Sequence, residues 1–249
     1  MDMQIEECLA SLRSRHMNGI FAENSEVACR KILDLIPQNA VVGIGDSTAV
    51  KQIGIVRALV ERGTKVLDPF ESKDSQIDPK EAYKYTERVT KEATLSDVFL
   101  TGTNALTQDG RLVNVDGNGN RVAGMFWGHP ISIIVVGKNK IVRDLDEAFH
   151  RIRNTIAPNH AYIRTAASRG RKLRIPCAET GECRDCRSSD RVCNIFTILE
   201  GKPFRTDLNV IIVDEDLGLG WDASWPKSRI KQIIDNHKKF LWIPMFDVL

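Results

Sequence analysis

Short apolar runs alternate along this chain with stretches in which apolar residues recur every three or four positions. Ile5, Leu9 and Leu12 keep helical spacing to about Met17, and Val27, Ile32, Leu35 and Ile36 continue that spacing until Pro37 stops it. The run 40–44 reads as a buried strand, and Gly45-Asp46-Ser47-Thr48 turns it into a helix over 49–61 that Gly63 ends. A second strand is predicted at 64–67, a helix opened by proline at 79–93, and a third strand at 97–101. The polar stretch 68–79 is expected to be a loop near the site. Segments 112–115 and 121–125 read as paired strands around the turn 116–120. The most apolar run, 131–136, predicts a central strand. Beyond it come a helix over 144–156, strands at 194–199 and 208–213, and a basic helix over 226–240. Strands alternating with helices predict an α/β fold with a largely parallel sheet flanked by helices.

Composition adds only bounds. The 249 residues, 42% hydrophobic and 27% charged, suit a single domain spanning 1–249. No stretch approaches the roughly 18 consecutive apolar residues of a membrane span. The amino terminus has no basic-then-apolar signal pattern. A cytoplasmic address and no membrane association are expected. A formal charge of +2 gives no global attraction to nucleic acid, which is not an expected partner.

Four of six cysteines change the picture. Cys177, Cys183, Cys186 and Cys193 fall within CAETGECRDCRSSDRVC, in an embedded segment, 171–200, that is poor in apolar residues. In a reducing compartment such thiols are expected to hold a metal rather than form disulfides. The segment has one Cys-x2-Cys pair with single cysteines further out, an arrangement closer to iron–sulfur ligation than to a zinc ribbon; thiolate ligands fit a 4Fe-4S cluster and zinc alike. Cys8 and Cys29 lie in helices and read as packing residues. The basic run of Arg164, Arg169, Arg171, Lys172 and Arg174 reads either as a contact for an anion or as solvated surface.

Two polar loops follow strands and are candidates for a small anionic substrate. Gly43, Gly45, Asp46, Ser47 and Thr48 form one; the alternative is a tight turn with Asp46 or Ser47 capping the helix. Thr103 and Asn104 in the other can hydrogen-bond a substrate. Asp109 reads as a catalytic base or as half of an ordinary Asp-Gly turn. His129 reads as a general acid, a cluster ligand or a locally bonded histidine. The run of Asn114, Asp116, Asn118 and Asn120 lacks the closing glutamate of a calcium loop and reads as a turn.

With these residues in view, the chain resembles the LUD-domain family, named for lactate utilisation. The likeness runs through GIGDSTAV at 43–50, TGTNALTQDGRLVNVDGNGNRVAGM at 101–125, the apolar strand with GKNKIV up to residue 142, and CAETGECRDCRSSDRVCNIFTILEGKP at 177–203. EDLGLGWDASWP at 215–226 is similar to the cysteine-bearing branch with its iron–sulfur-type motif. The resemblance implies a Rossmann-like sheet of the NagB/RpiA/CoA-transferase group and redox metabolism of a small hydroxy or keto acid. A redox partner protein and a homodimer are the expected macromolecular partners. The alternative is a non-redox isomerase, transferase or hydrolase acting on a phosphorylated or CoA-linked substrate, with a structural metal.

Overall fold

A computed structural model describes residues 2–70, 78–167 and 174–241. The amino-terminal half runs α1 (Met3–Ser14), β1 (Asn18–Ala22), α2 (Ser25–Leu35), β2 (Val41–Ile44), α3 (Thr48–Gln52), α4 (Ile55–Glu61), β3 (Lys65–Leu67), α5 (Pro79–Ala93), β4 (Val98–Gly102), β5 (Ala105–Thr107), β6 (Leu112–Asp116) and α6 (Asn120–Phe126). Then follow β7 (Ile131–Gly137), β8 (Ile141–Val142), α7 (Leu145–Arg151), α8 (Ala157–Ala167), α9 (Pro176–Thr180), β9 (Ile195–Leu199), β10 (Asp207–Val213) and α10 (Lys227–Lys238). Residues 169, 171 and 172 of the basic run, part of the 68–79 loop and part of the 171–200 segment lie outside the described residues.

Six parallel strands form the main sheet in the order β1-β10-β7-β4-β2-β3. Helices cover both faces, which explains why β7 is apolar on both faces, with Ser132 its one polar residue, instead of alternating with polar residues. Ile133 and Val135 enter one core with Leu59 of α4 and Ile32 of α2, while Ile134 and Val136 enter the other with Leu12 of α1 and Met125 of α6. The expected parallel α/β sheet is present, and β7 sits between β10 and β4 as the predicted central strand should. A smaller sheet, β8-β5-β6-β9, lies beside it over a third core containing Ile152, Ile163 and Trp221.

Three expectations about elements need correction. Residues 121–125 are helical: the Asp116 carboxylate accepts from the amides of Asn118, Gly119 and Val122, and so winds the chain into α6 rather than a hairpin. The actual hairpin joins β5 to β6 through Asp109-Gly110, with Gly110 at φ +86°. The helical spacing read from Ile5 to Ile36 is interrupted by β1, because His16 at φ +61° reverses the chain after α1. The helix read over 49–61 is broken at Gly54, φ +74°, into α3 and α4.

Gly43 serves the sheet. A Cβ there would stand 2.2 Å from the Ala93 carbonyl oxygen and 2.6 Å from Ser96 Oγ, so the close approach of α5 to β2 requires glycine. Gly43→Ala is expected to destabilise the protein by about 2–3 kcal/mol through overpacking. A urea midpoint equal to the parent's would contradict that.

Candidate functional site

In an open parallel sheet, ligands collect beyond the carboxyl ends of strands whose connections diverge. Here β2 leads outward to β3 while its neighbour β4 leads toward β7, and a cavity of about 630 Å3 opens where they part. Asp46, Ser47 and Thr48 after β2, and Thr103 and Asn104 after β4, line it. Lys140 reaches it from the turn after β7, His160 and Arg164 from α8, and His237 from α10. Cys193 and Arg191 bring in the cysteine segment.

Gly43, Gly45, Asp109, His129, Cys177, Cys183 and Cys186 are not among the cavity's lining residues. A Cβ at Gly45 would meet Thr101 Oγ1 at 2.6 Å, so this glycine also serves close packing. Asp109 accepts the Thr107 hydroxyl and pairs with Arg15 at 3.2 Å and Arg111 at 3.3 Å, pinning the hairpin to α1. His129 precedes β7, at the amino-terminal end of the strands and so at the opposite edge from the cavity. It is buried against the Phe99 ring, with centroids 5.4 Å apart, and burial pushes its pKa down to about 4. Cys8 is a buried packing thiol raised to about 12, chiefly by burial.

The two predicted loops are used by the fold as well as by the cavity. Ser47 caps α3, its hydroxyl accepting from Val50 N at 3.3 Å. Thr103 Oγ1 donates to Asn114 Oδ1 at 3.0 Å. Asn104 Oδ1 accepts from Val115 N and from Arg121, both at 3.0 Å. Arg121 is the hub behind this wall. Its guanidinium also bonds the Gly102 carbonyl and Asn114 Oδ1 at 3.0 Å and the Val115 carbonyl at 2.8 Å, and it pairs with Asp116 at 3.6 Å.

Burial dominates the electrostatics. Lys140 is pulled down to about 7, first by burial and then by the Arg121 charge. Its ammonium donates to the Thr103 carbonyl at 2.8 Å. His237 falls to about 3 through burial, His160 and Lys140, and its Nδ1 bonds the Thr48 hydroxyl at 3.0 Å. His160, 6.2 Å from the His237 ring, is likewise lowered by burial. Five basic side chains (Lys91, Arg121, Lys140, Arg164, Arg191) face three carboxylates (Asp46, Glu87, Asp116) around the cavity. This excess favours an anionic ligand.

The four clustered cysteines are free thiols, all half-buried. Cys177 opens α9, which Gly181 closes at φ +73°, and Asp185, between Cys183 and Cys186, adopts φ +46°. Arg191 stitches the loop: it donates to the carbonyls of Cys186 and Cys193 and pairs with Asp185 at 2.9 Å. Arg153 holds Asp185 from outside at 3.6 Å. The thiols influence one another. After burial, Cys186, Cys193 and Cys183 all push Cys177 up. Cys193 is raised by burial, lowered by Arg191 and raised again by Cys183 and Cys186. Among the described residues, no three His, Cys, Asp or Glu side chains stand close enough together to hold a metal ion. As a donor set, four soft sulfurs on one loop fit a 4Fe-4S cluster or zinc in kind.

A family model described as the LUD domain matches residues 5–213. The chain belongs to the LUD-domain family. A search among curated proteins finds no match. Among solved structures, the protein is similar to a DUF162-family protein from Deinococcus radiodurans at 16% identity and a TM-score of 0.44, covering 84% of this chain and 94% of that one. It is also similar to ribose 5-phosphate isomerase A from Neisseria gonorrhoeae at 17% identity and a TM-score of 0.32, covering 49% and 54%. No helix among the described residues of this LUD-domain protein is long and apolar enough to cross a membrane.

Sequence reasoning missed Arg121, Lys140 and His237 as site residues. Lys140 stands inside GKNKIV, a family-like segment that carries no local chemical signature. Arg121 was hidden by reading its helix as a strand. His160 and His237 show no mutual spacing, since only tertiary packing of α8 against α10 pairs them.

Proposed function

We propose that this LUD-domain protein is an iron–sulfur protein of the cysteine-bearing branch, acting in the cytoplasm on a small hydroxy or keto acid such as lactate. The observation that carries this reading is contiguity: Cys193 and Arg191 form part of the same cavity wall as Asp46, Thr48 and Lys140. A ligand in the basic cavity would therefore lie beside the cysteine segment. Cys177, Cys183, Cys186 and Cys193 would hold a 4Fe-4S cluster, with zinc as the alternative. When bound, such a cluster supplies one-electron transfer or Lewis acidity. The protein's own residues hold the acid: the basic excess attracts its carboxylate, and the neutral His237, bonded to Thr48, can pass a proton at the Thr48 hydroxyl. Electrons would pass to a redox partner protein, and a homodimer is the assembly consistent with this role.

Anaerobic purification is the test. Near-stoichiometric iron and acid-labile sulfide, with an EPR signal on reduction that the combined replacement of Cys183 and Cys186 by serine abolishes, is the expected result. Colourless protein containing one zinc per chain would overturn the redox reading.

Cavity size favours a second reading. About 630 Å3 falls in the range that accommodates drug-sized ligands, larger than a three-carbon acid requires. A phosphorylated or CoA-linked substrate of a non-redox isomerase, transferase or hydrolase, with a structural metal, would use that space. Turnover by the zinc form would decide in its favour.

A further inference from the structure

Among the described residues, Lys140 is the one buried lysine. Lys84, Lys91, Lys138 and Lys202 lie toward solvent and pair with carboxylates at 2.9, 2.7, 2.9 and 3.1 Å. Lys140 is only 7% exposed, lines the cavity, and among the described residues has the Thr103 carbonyl as its hydrogen-bond partner and no carboxylate. Its nearest charged influence is Arg121, a like charge. Desolvation beside another cation is the setting in which a lysine is kept as a neutral amine nucleophile.

Space and a hydroxyl are provided at its tip. Gly218 lies in the GLG of the 215–226 segment at φ +67°, and a Cβ on it would stand 2.8 Å from Lys140 Nζ and 3.4 Å from Thr48 Oγ1. The amine and the hydroxyl thus border one small space that glycine leaves open. Thr48 is in turn bonded to His237 Nδ1 at 3.0 Å. These three side chains come from the turns after β7 and β2 and from α10, and the reading above gave Lys140 no chemical task.

We propose that Lys140 is a Schiff-base lysine, whose amine condenses with the carbonyl of a 2-oxo acid or short aldehyde held in the cavity. The inference rests on the oxo-acid form of the reading above and is independent of any metal. The nitrogen lone pair forms the C–N bond while the carbonyl π electrons move to oxygen. That oxygen takes a proton from the Thr48 hydroxyl, which is replenished by the proton leaving the lysine nitrogen. The carbinolamine oxygen takes a second proton, from solvent, and departs as water, leaving an iminium. Amine, carbonyl and one proton give iminium and one water, so no oxidant or reductant is needed. Lys140, held at about 7, is substantially neutral at physiological pH, and the four remaining cations (Lys91, Arg121, Arg164, Arg191) still outnumber the three carboxylates and draw in the substrate's carboxylate.

Borohydride trapping tests this on the full chain. The protein is incubated separately with pyruvate and with glyoxylate, reduced with sodium borohydride, and read by intact mass and peptide mapping; L-lactate, which has no carbonyl, is the blank. The expected result is a single reduced adduct at Lys140 with at least one oxo acid, absent with lactate and absent in Lys140→Gln. Thr48→Val, which removes the hydroxyl while keeping the side chain's shape, should slow adduct formation by about 100-fold without loss of fold by circular dichroism. Adducts confined to exposed lysines, with Lys140 unmodified by both acids in folded protein, would overturn the proposal, as would a Thr48→Val variant that is labelled at the parent rate. A colourless, zinc-loaded protein still trapped at Lys140 would sink only the redox reading. A brown protein that is never trapped there would sink only this one.

Discussion

Replacing Arg121 with alanine is expected to lower the stability of this protein by about 3–5 kcal/mol, the cost of leaving the other members of a buried charged network without their partner. Four acceptors would each lose a donor at once: the carbonyls of Gly102 and Val115 and the side-chain oxygens of Asn104 and Asn114, the last two keeping only Val115 N and Thr103 Oγ1. The Asp116 side chain, 7% exposed, would lose the guanidinium 3.6 Å away. These groups lie at the end of β4, on the β4–β5 connection and in the last residues of β6, so the loss also loosens the cavity wall that bears Thr103 and Asn104. Arg121→Lys should recover little, because one ammonium cannot span acceptors that a planar fork reaches from two sides. Domains are typically stable by only about 5–15 kcal/mol, so the alanine variant should be partly unfolded near its growth temperature. Urea unfolding with an unchanged slope and a displaced midpoint is the measurement. A midpoint within about 1 kcal/mol of the parent would show that solvent satisfies these groups.

How far the chain was legible follows from how local each signal is. The run 131–136 identified β7 because five apolar residues in six, broken only by Ser132, with turn residues on either side fit a strand covered on both faces. The 79–93 helix was legible to its boundaries, since Asp78 caps it and proline occupies its first turn. Segment 116–126 was not. Its glycines and asparagines suit a hairpin turn equally well, and what decides for α6 is the Asp116 carboxylate bonding three amides, a choice stabilised by Arg121. β1 was missed because five residues at a sheet edge, Asn18–Ala22, carry too little pattern to interrupt a helical reading. For the site, the loops after β2 and β4 were visible as turn residues following strands, and the order of the sheet brings them to one cavity. Lys140, Arg121 and His237 carried no such signal, because their chemistry comes from burial and mutual proximity that exist only after folding. The cysteine spacing was fully legible; that Cys193 borders the ligand cavity was not.

Acid is expected to destabilise the protein steeply from about pH 6.5 downward, well before most carboxylates titrate. Burial pushes the folded-state pKa of His129 from 6.5 to about 4 and of His237 to about 3, and lowers that of His160. The groups facing them do not reverse this. His237 faces His160 and Lys140, both of which oppose its protonation, and around His160 the charges of Arg164 and Arg121 oppose it while only Asp46 favours it. A histidine whose folded pKa is depressed contributes stability that is fully present above its unfolded value and is lost as pH falls toward the folded one. In that window the unfolded chain binds protons that the folded chain refuses, and stability must rise with pH. Each such proton contributes about 1.4 kcal/mol per pH unit once the unfolded imidazole is mostly protonated, so His129 and His237 together give a slope approaching about 3 kcal/mol per pH unit around pH 5, and His160 adds to it with the same sign. Two pH units at that slope are comparable to the whole stability of an ordinary domain. Lys140 acts with the same sign between its ordinary value of 10.5 and about 7, and adds nothing below, where it is protonated in both states. Urea midpoints measured from pH 7.5 to 4.5 should therefore fall throughout. His237→Gln, which keeps a polar side chain next to Thr48 but cannot ionise, should lower the slope near pH 5 by about 1.4 kcal/mol per pH unit. A profile flat from pH 7 to 5 would mean that these imidazoles are solvated in the native state, and with them the cavity in which Lys140 is held as an amine.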